Sequence, residues 1–76
     1  MSDGMLSAER LDRLLRRLHS PDEAVRVYAA LRLTGAGVDA EAVRPALEAA
    51  LGDVDPHVRR LAAWVLSRLG QARRAA

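Results

Sequence analysis

The second half of this chain repeats the first at an interval of 33 residues. Moving Leu14–Gly37 along by that interval lands it on Leu47–Gly70, and nine of the 24 positions then coincide: Leu14/Leu47, Leu18/Leu51, Asp22/Asp55, Val25/Val58, Arg26/Arg59, Ala29/Ala62, Ala30/Ala63, Leu33/Leu66 and Gly37/Gly70. Most of these positions are apolar and three or four residues apart, which is the spacing of one helix face. What is duplicated is therefore a packing surface and not a reactive group. A period of this length marks stacked helical hairpins. The expected architecture is all-α, with four helices forming two antiparallel hairpins.

Composition fits that plan. The chain has 76 residues, enough for one domain. Cysteine is absent, which excludes disulfides and thiolate metal sites. The aromatics are Tyr28 and Trp64 alone, so the core must be built from Leu, Val and Ala. Small side chains let helices approach closely. Twelve cations, all arginine, face ten carboxylates for a net charge of +2. Each half of the chain carries six arginines and five acids, so there is no basic arm of the kind nucleic-acid binders often have. No apolar run approaches the roughly 20 residues that cross a bilayer. Met1-Ser2-Asp3-Gly4 lacks the basic and apolar parts of a signal peptide. A cytoplasmic protein is the expectation.

Local signals place the elements. Residues 1–6 are expected to be disordered. Ser7 caps a first helix over about 8–18, with Leu6 and Leu11 as a hydrophobic staple and Leu11, Leu14, Leu15 and Leu18 inward. Ser20 and Glu23 fit a capping box, with Pro21 in the first turn of a second helix that runs to about Thr34. Val25, Ala29, Ala30 and Leu33 form its inner stripe, and Gly35 and Gly37 supply the stop. Asp39 caps a third helix that turns Val43, Leu47, Ala50 and Leu51 inward. Pro45 should kink that helix or be preceded by a separate short turn. Asp55 caps a fourth helix with Pro56 as its first residue and Val58, Ala62, Val65, Leu66 and Leu69 inward. Gly70 should end it, leaving 71–76 as a tail that can also extend the helix.

The segment Leu51-Gly-Asp53-x-Asp55-Pro56-x-Val58-Arg59-x-x-Ala62-Ala63-x-x-Leu66-x-x-Leu69-Gly70 resembles a HEAT repeat, in particular the short bacterial HEAT-like repeats first described in phycobilin lyases. Leu18–Gly37 is a less complete copy. The resemblance implies two HEAT-like repeats, 7–37 and 38–70, in a short right-handed α-α superhelix. It also implies a ladder between repeats in which Asp53 joins Arg59, six residues on. The first copy has Ser20 where that aspartate stands, so Arg26 is expected to reach Asp53 or Asp55 instead.

The chemistry points away from catalysis. His19 and His57 do not correspond in the repeat and have no metal-ligand spacing, and Ser20 and Ser67 have no base at a credible spacing. Asp53, Asp55 and His57 share one connection, but capping and the ladder already employ both carboxylates. No enzyme, metal site or cofactor is expected. The more promising surface lies on the second helix of each hairpin. His57, Arg60, Trp64 and Arg68 share one stripe of the fourth helix; Ala24, Val27, Leu31 and Gly35 share the equivalent stripe of the second. Val27, Leu31, Arg60, Leu61, Trp64 and Arg68 have the makeup of a protein interface: apolar anchors, one aromatic, arginine, and no lysine or glutamate at the centre. The alternative is that Trp64 packs against the second helix or the tail. The expected function is a protein–protein adaptor that binds another protein, or a second copy of itself, through these helices and the open end near the fourth. Leu61, Trp64 and Val65 beside the core stripe mark that end. The rival function is nucleic-acid backbone binding by Arg60, Arg68, Arg73 and Arg74.

Overall fold

The computed structural model describes residues 6–35 and 37–75, with side chains as far as Gln71. Of the segment 1–6, expected to be disordered, residues 1–5 lie outside the described residues, as do the side chains of Arg73 and Arg74; Leu6 is instead half-buried and packed against the core. Four helices follow one another: α1 (Ala8–Arg17), α2 (Glu23–Leu33), α3 (Ala40–Ala50) and α4 (Pro56–Ala75). No strand occurs among the described residues. The first hairpin packs α1 on α2 and the second packs α3 on α4. The two then stack with α1 against α3 and α2 against α4. This is the arrangement of an α-helical repeat solenoid.

Each helix starts where a side-chain oxygen takes up an N-terminal amide that has no partner inside the helix. Ser7 Oγ accepts from the amide of Arg10 at 3.2 Å, and Asp39 Oδ1 accepts from that of Glu41 at 3.1 Å. Asp55 Oδ1 accepts from His57 at 2.8 Å, with Pro56 as first helical residue. The start of α2 differs from the expected capping box. Asp22 is the cap and accepts from Ala24 at 2.9 Å, while Pro21 stands outside the helix. Ser20 instead takes the amide of Asp22 at 3.1 Å. A carboxylate two residues before the bonded amide reaches it better than a hydroxyl further back, so the cap moves to the aspartate.

The core is one cluster shared by all four helices. Leu11, Leu14 and Leu18 enter from the first helix, and Ala29, Ala30 and Leu33 from the second. Val43, Leu47 and Ala50 come from α3; Val58, Ala62, Val65 and Leu69 come from α4. Val65, read both as an inward residue of the fourth helix and as lying beside its core stripe at the open end, is fully enclosed, as the inward reading requires. Val25, Leu15 and Leu66 are half-buried at its margin. Each fully buried Leu or Val contributes about 1.5–3 kcal/mol by leaving water. Leu51 departs from expectation: it caps the end of α3 and points outward, exposed.

Three backbone features qualify the simple repeat. Pro45 is accommodated inside α3, which runs unbroken from Ala40 with no separate turn before it. Gly37 adopts φ 86°, the left-handed region that glycine enters without a Cβ penalty, and its carbonyl accepts the amide of Leu6 at 2.9 Å. Gly70, its sequence counterpart, does not stop α4. The helix continues to Ala75 because Gln-Ala-Arg-Arg-Ala offers good helix formers where Gly37 is followed by Val38 and the cap Asp39.

Candidate protein-binding groove

The α2–α4 seam leaves a groove open to solvent. Val27, Ala30 and Leu31 form one wall, and Arg60, Leu61 and Trp64 form the other, around a volume of about 300 Å³. Five of the six residues expected to share a protein-binding surface thus meet here. The sixth, Arg68, stands one turn along α4 with its guanidinium carbon 5.5 Å from the centre of the Trp64 ring. A cation at that distance is held by the ring's quadrupole. The contact restrains the indole, which also lines the groove.

Exposure decides between the two readings of Trp64. The indole residue is 38% exposed, Val27 42% and Leu31 54%. Trp64 is therefore not absorbed by the core, and three large apolar side chains line one continuous depression. Helical geometry explains the placement. Val27 and Leu31 are four apart on α2, as are Arg60, Trp64 and Arg68 on α4, so each set forms one row. Where the two rows face each other across a seam built on Ala30, the small side chain leaves room. A smaller hollow of about 170 Å³ continues the groove past Glu23, Arg26 and His57. His57 thus joins the surface at its edge.

The expected ladder takes a different form. Arg59 Nη1 donates to the backbone carbonyl of Asp53 at 2.7 Å and to that of Val54 at 3.2 Å, and not to the Asp53 carboxylate. Arg26 Nη1 donates to the carbonyl of Ser20 at 2.7 Å, and reaches neither Asp53 nor Asp55. Both arginines therefore clamp the loop of their own hairpin, six residues back in each copy. A backbone carbonyl is present whatever the side chain, which is why Ser20 can replace an aspartate without loss of the clamp. Asp53 does bridge the repeats, through a partner that sequence reasoning missed. Its Oδ2 lies 3.2 Å from Nε2 of His19, which donates to it from the first hairpin, while Oδ1 takes the amide of Asp55 at 2.8 Å. The signal was the position of His19 at the end of α1, one loop away from the matching loop of the next repeat.

Among the described residues no group of three or more His, Asp or Glu side chains is placed to hold a metal ion, and no helix is long and apolar enough to cross a membrane. A second depression, of about 300 Å³, lies at the other end of the stack among Leu6, Leu14, Tyr28 and four arginines: Arg10, Arg13, Arg17 and Arg32. The convergence of these α1 arginines with Arg32 and Tyr28 from α2 was missed by sequence reading.

The HEAT-repeat family model matches residues 11–76, nearly the whole chain. The chain belongs to the HEAT-repeat family. No curated protein and no solved structure matches it. The matched span covers both hairpins, so the duplication, the stacked helices and the family assignment describe one object. HEAT repeats generally mediate protein–protein interaction and are generally non-catalytic scaffolds.

Proposed function

We propose that this HEAT-repeat protein is a non-catalytic adaptor, which binds a partner protein through the α2–α4 groove and through the open end of its second hairpin. The observation that supports it best is the grouping of Val27, Leu31, Leu61 and Trp64 around one exposed depression, with Arg60 and Arg68 at its edge. Aromatic and arginine anchors in a pocket are where binding energy concentrates in protein interfaces. The resemblance of Leu51–Gly70 to the short bacterial HEAT-like repeats of phycobilin lyases extends the proposal to a cytoplasmic bacterial protein working as an oligomer or a complex subunit. Binding to a nucleic-acid backbone fits less well. Such a surface draws its affinity from a field of cations, whereas this groove is walled by carbon and bordered by Glu23 as well as arginine.

Affinity capture with the wild-type chain and with Trp64→Ala tests the proposal. A partner retained in high salt and weakened at least tenfold by Trp64→Ala, with the helical circular-dichroism signal unchanged, is the expected result. Loss of more than about 2 kcal/mol is typical when a hot-spot tryptophan is truncated. Salt-sensitive binding to generic duplex DNA that is indifferent to Trp64→Ala would replace the adaptor with the nucleic-acid reading.

A further inference from the structure

The duplication allows each exposed position of the second hairpin to be compared with its twin in the first. Leu18, Ala30 and Leu33 are 0–1% exposed. Their twins 33 residues on are Leu51, 42% exposed, Ala63, exposed, and Leu66, half-buried. The side chains are identical and sit on equivalent helices. The difference is that the first hairpin has a neighbour on that side, whereas among the described residues the second has none. The open face is thus a stacking surface of known kind without its cover. Beside it, a Cβ placed on Gly70 would meet nothing within 4 Å, so another helix has room to approach closely.

The opposite end of the stack shows which cover this chain can supply. Inside the molecule, the second hairpin lays Val43, Ala50 and Val65 into the shared core, all buried. Thirty-three residues earlier, the same positions of the first hairpin hold Arg10, Arg17 and Arg32. Among the described residues no carboxylate pairs with any of them. A second copy stacked head to tail would press these cations onto Leu51 and Leu66, at the cost of stripping their hydration. Open-ended growth is thereby blocked. The remaining self-complementary contact is the open face against the same face of another copy, the isologous two-fold geometry most common among dimers. The rim of that face carries both signs, Glu48 and Arg59, so a copy turned by half a revolution does not meet a field of one sign.

We infer that a second copy of this chain covers the Leu51–Ala63–Leu66 face, giving a two-fold dimer joined through its second hairpins with both arginine ends outward. This deepens the adaptor reading, on which its open-end contact rests, by naming the occupant of that end. Sedimentation velocity on the full chain, over a hundredfold range of concentration, tests it. The expected result is a mass twice that of one chain, with dissociation at least tenfold stronger in Ala63→Arg. Ala63 is an exposed position, and an unchanged helical circular-dichroism signal in Ala63→Arg separates loss of the dimer from unfolding. A monomer at every concentration, a dimer indifferent to Ala63→Arg, or one dissolved by Arg13→Ala and Arg17→Ala would each overturn the inference. A monomer that still binds a partner through Trp64 would leave the groove function standing while this dimer falls.

Discussion

The two hairpins carry nearly the same inner residues, yet the first is enclosed on the side where the second is open. In the first, Leu18, Ala30 and Leu33 are enclosed under the next repeat; in the second, Leu51 and Ala63 are exposed and Leu66 is only half-buried. The first hairpin pays for its other side with arginines, while the second spends that side on the shared core. Burial in a stacked array is therefore a property of position in the stack and not of the repeat's own sequence. A repeat cannot hide its faces alone, and its stability is divided between internal packing and the contact to its neighbour.

The largest expected contrast comes from twin leucines. Leu33→Ala should cost about 2–5 kcal/mol, as for other fully buried leucines, and in a domain this small that approaches the whole stability. Leu66→Ala should cost less than half as much. Urea denaturation at low protein concentration, where the open face is not covered by another copy, measures both. Equal losses would mean that the open face is already covered within the single chain.

The twin glycines should respond with opposite sign. Gly37→Ala forces a Cβ into φ 86° and should destabilise by about 1 kcal/mol. Gly70 lies within α4 with open space beside it, so Gly70→Ala should stabilise by about 0.5–1 kcal/mol through helix propensity alone. Thermal melting of the two variants decides it, and a loss at both sites would show that α4 ends at Gly70.

The smallest contrast concerns the loops. Asp53→Ser converts the second loop to the chemistry of the first, keeping an oxygen for the Asp55 amide and the Arg59 clamp on the backbone carbonyl. It removes only the exposed bond to His19, so the loss should stay below about 1 kcal/mol. A double-mutant cycle with His19→Ala isolates that term. A coupling well above that range would make the bridge a principal tie between repeats.

Much of this fold was legible in the chain because a period and a helix face leave a clear pattern. Caps at Ser7, Asp39 and Asp55 followed from residue type and spacing, as did most of the inward rows of α1, α2 and α4, with Leu15, Val25 and Leu66 only half-buried. The misreadings have two causes: a group whose environment lies beyond its own repeat, and a main-chain acceptor within the same loop. Leu51 looks like Leu18 until it is known that nothing stacks on it. Arg26 and Arg59 promised carboxylate partners, but carbonyls of the same loop are nearer, and main-chain acceptors leave no mark in a sequence. Gly70 matched a terminator that works only when a new cap follows. The groove was legible as a composition, two rows of apolar and arginine residues; that the rows face each other across Ala30 required the packing of α2 on α4.

The chain contains one indole, and it sits at the wall of the groove under the Arg68 guanidinium. Its emission is therefore not averaged over several sites, and it watches a single patch of surface. Any molecule that settles against Leu31 and Leu61 must exclude water from that ring, shifting its fluorescence to shorter wavelength. The protein thus carries its own gauge of groove occupancy, and titrations need no attached dye.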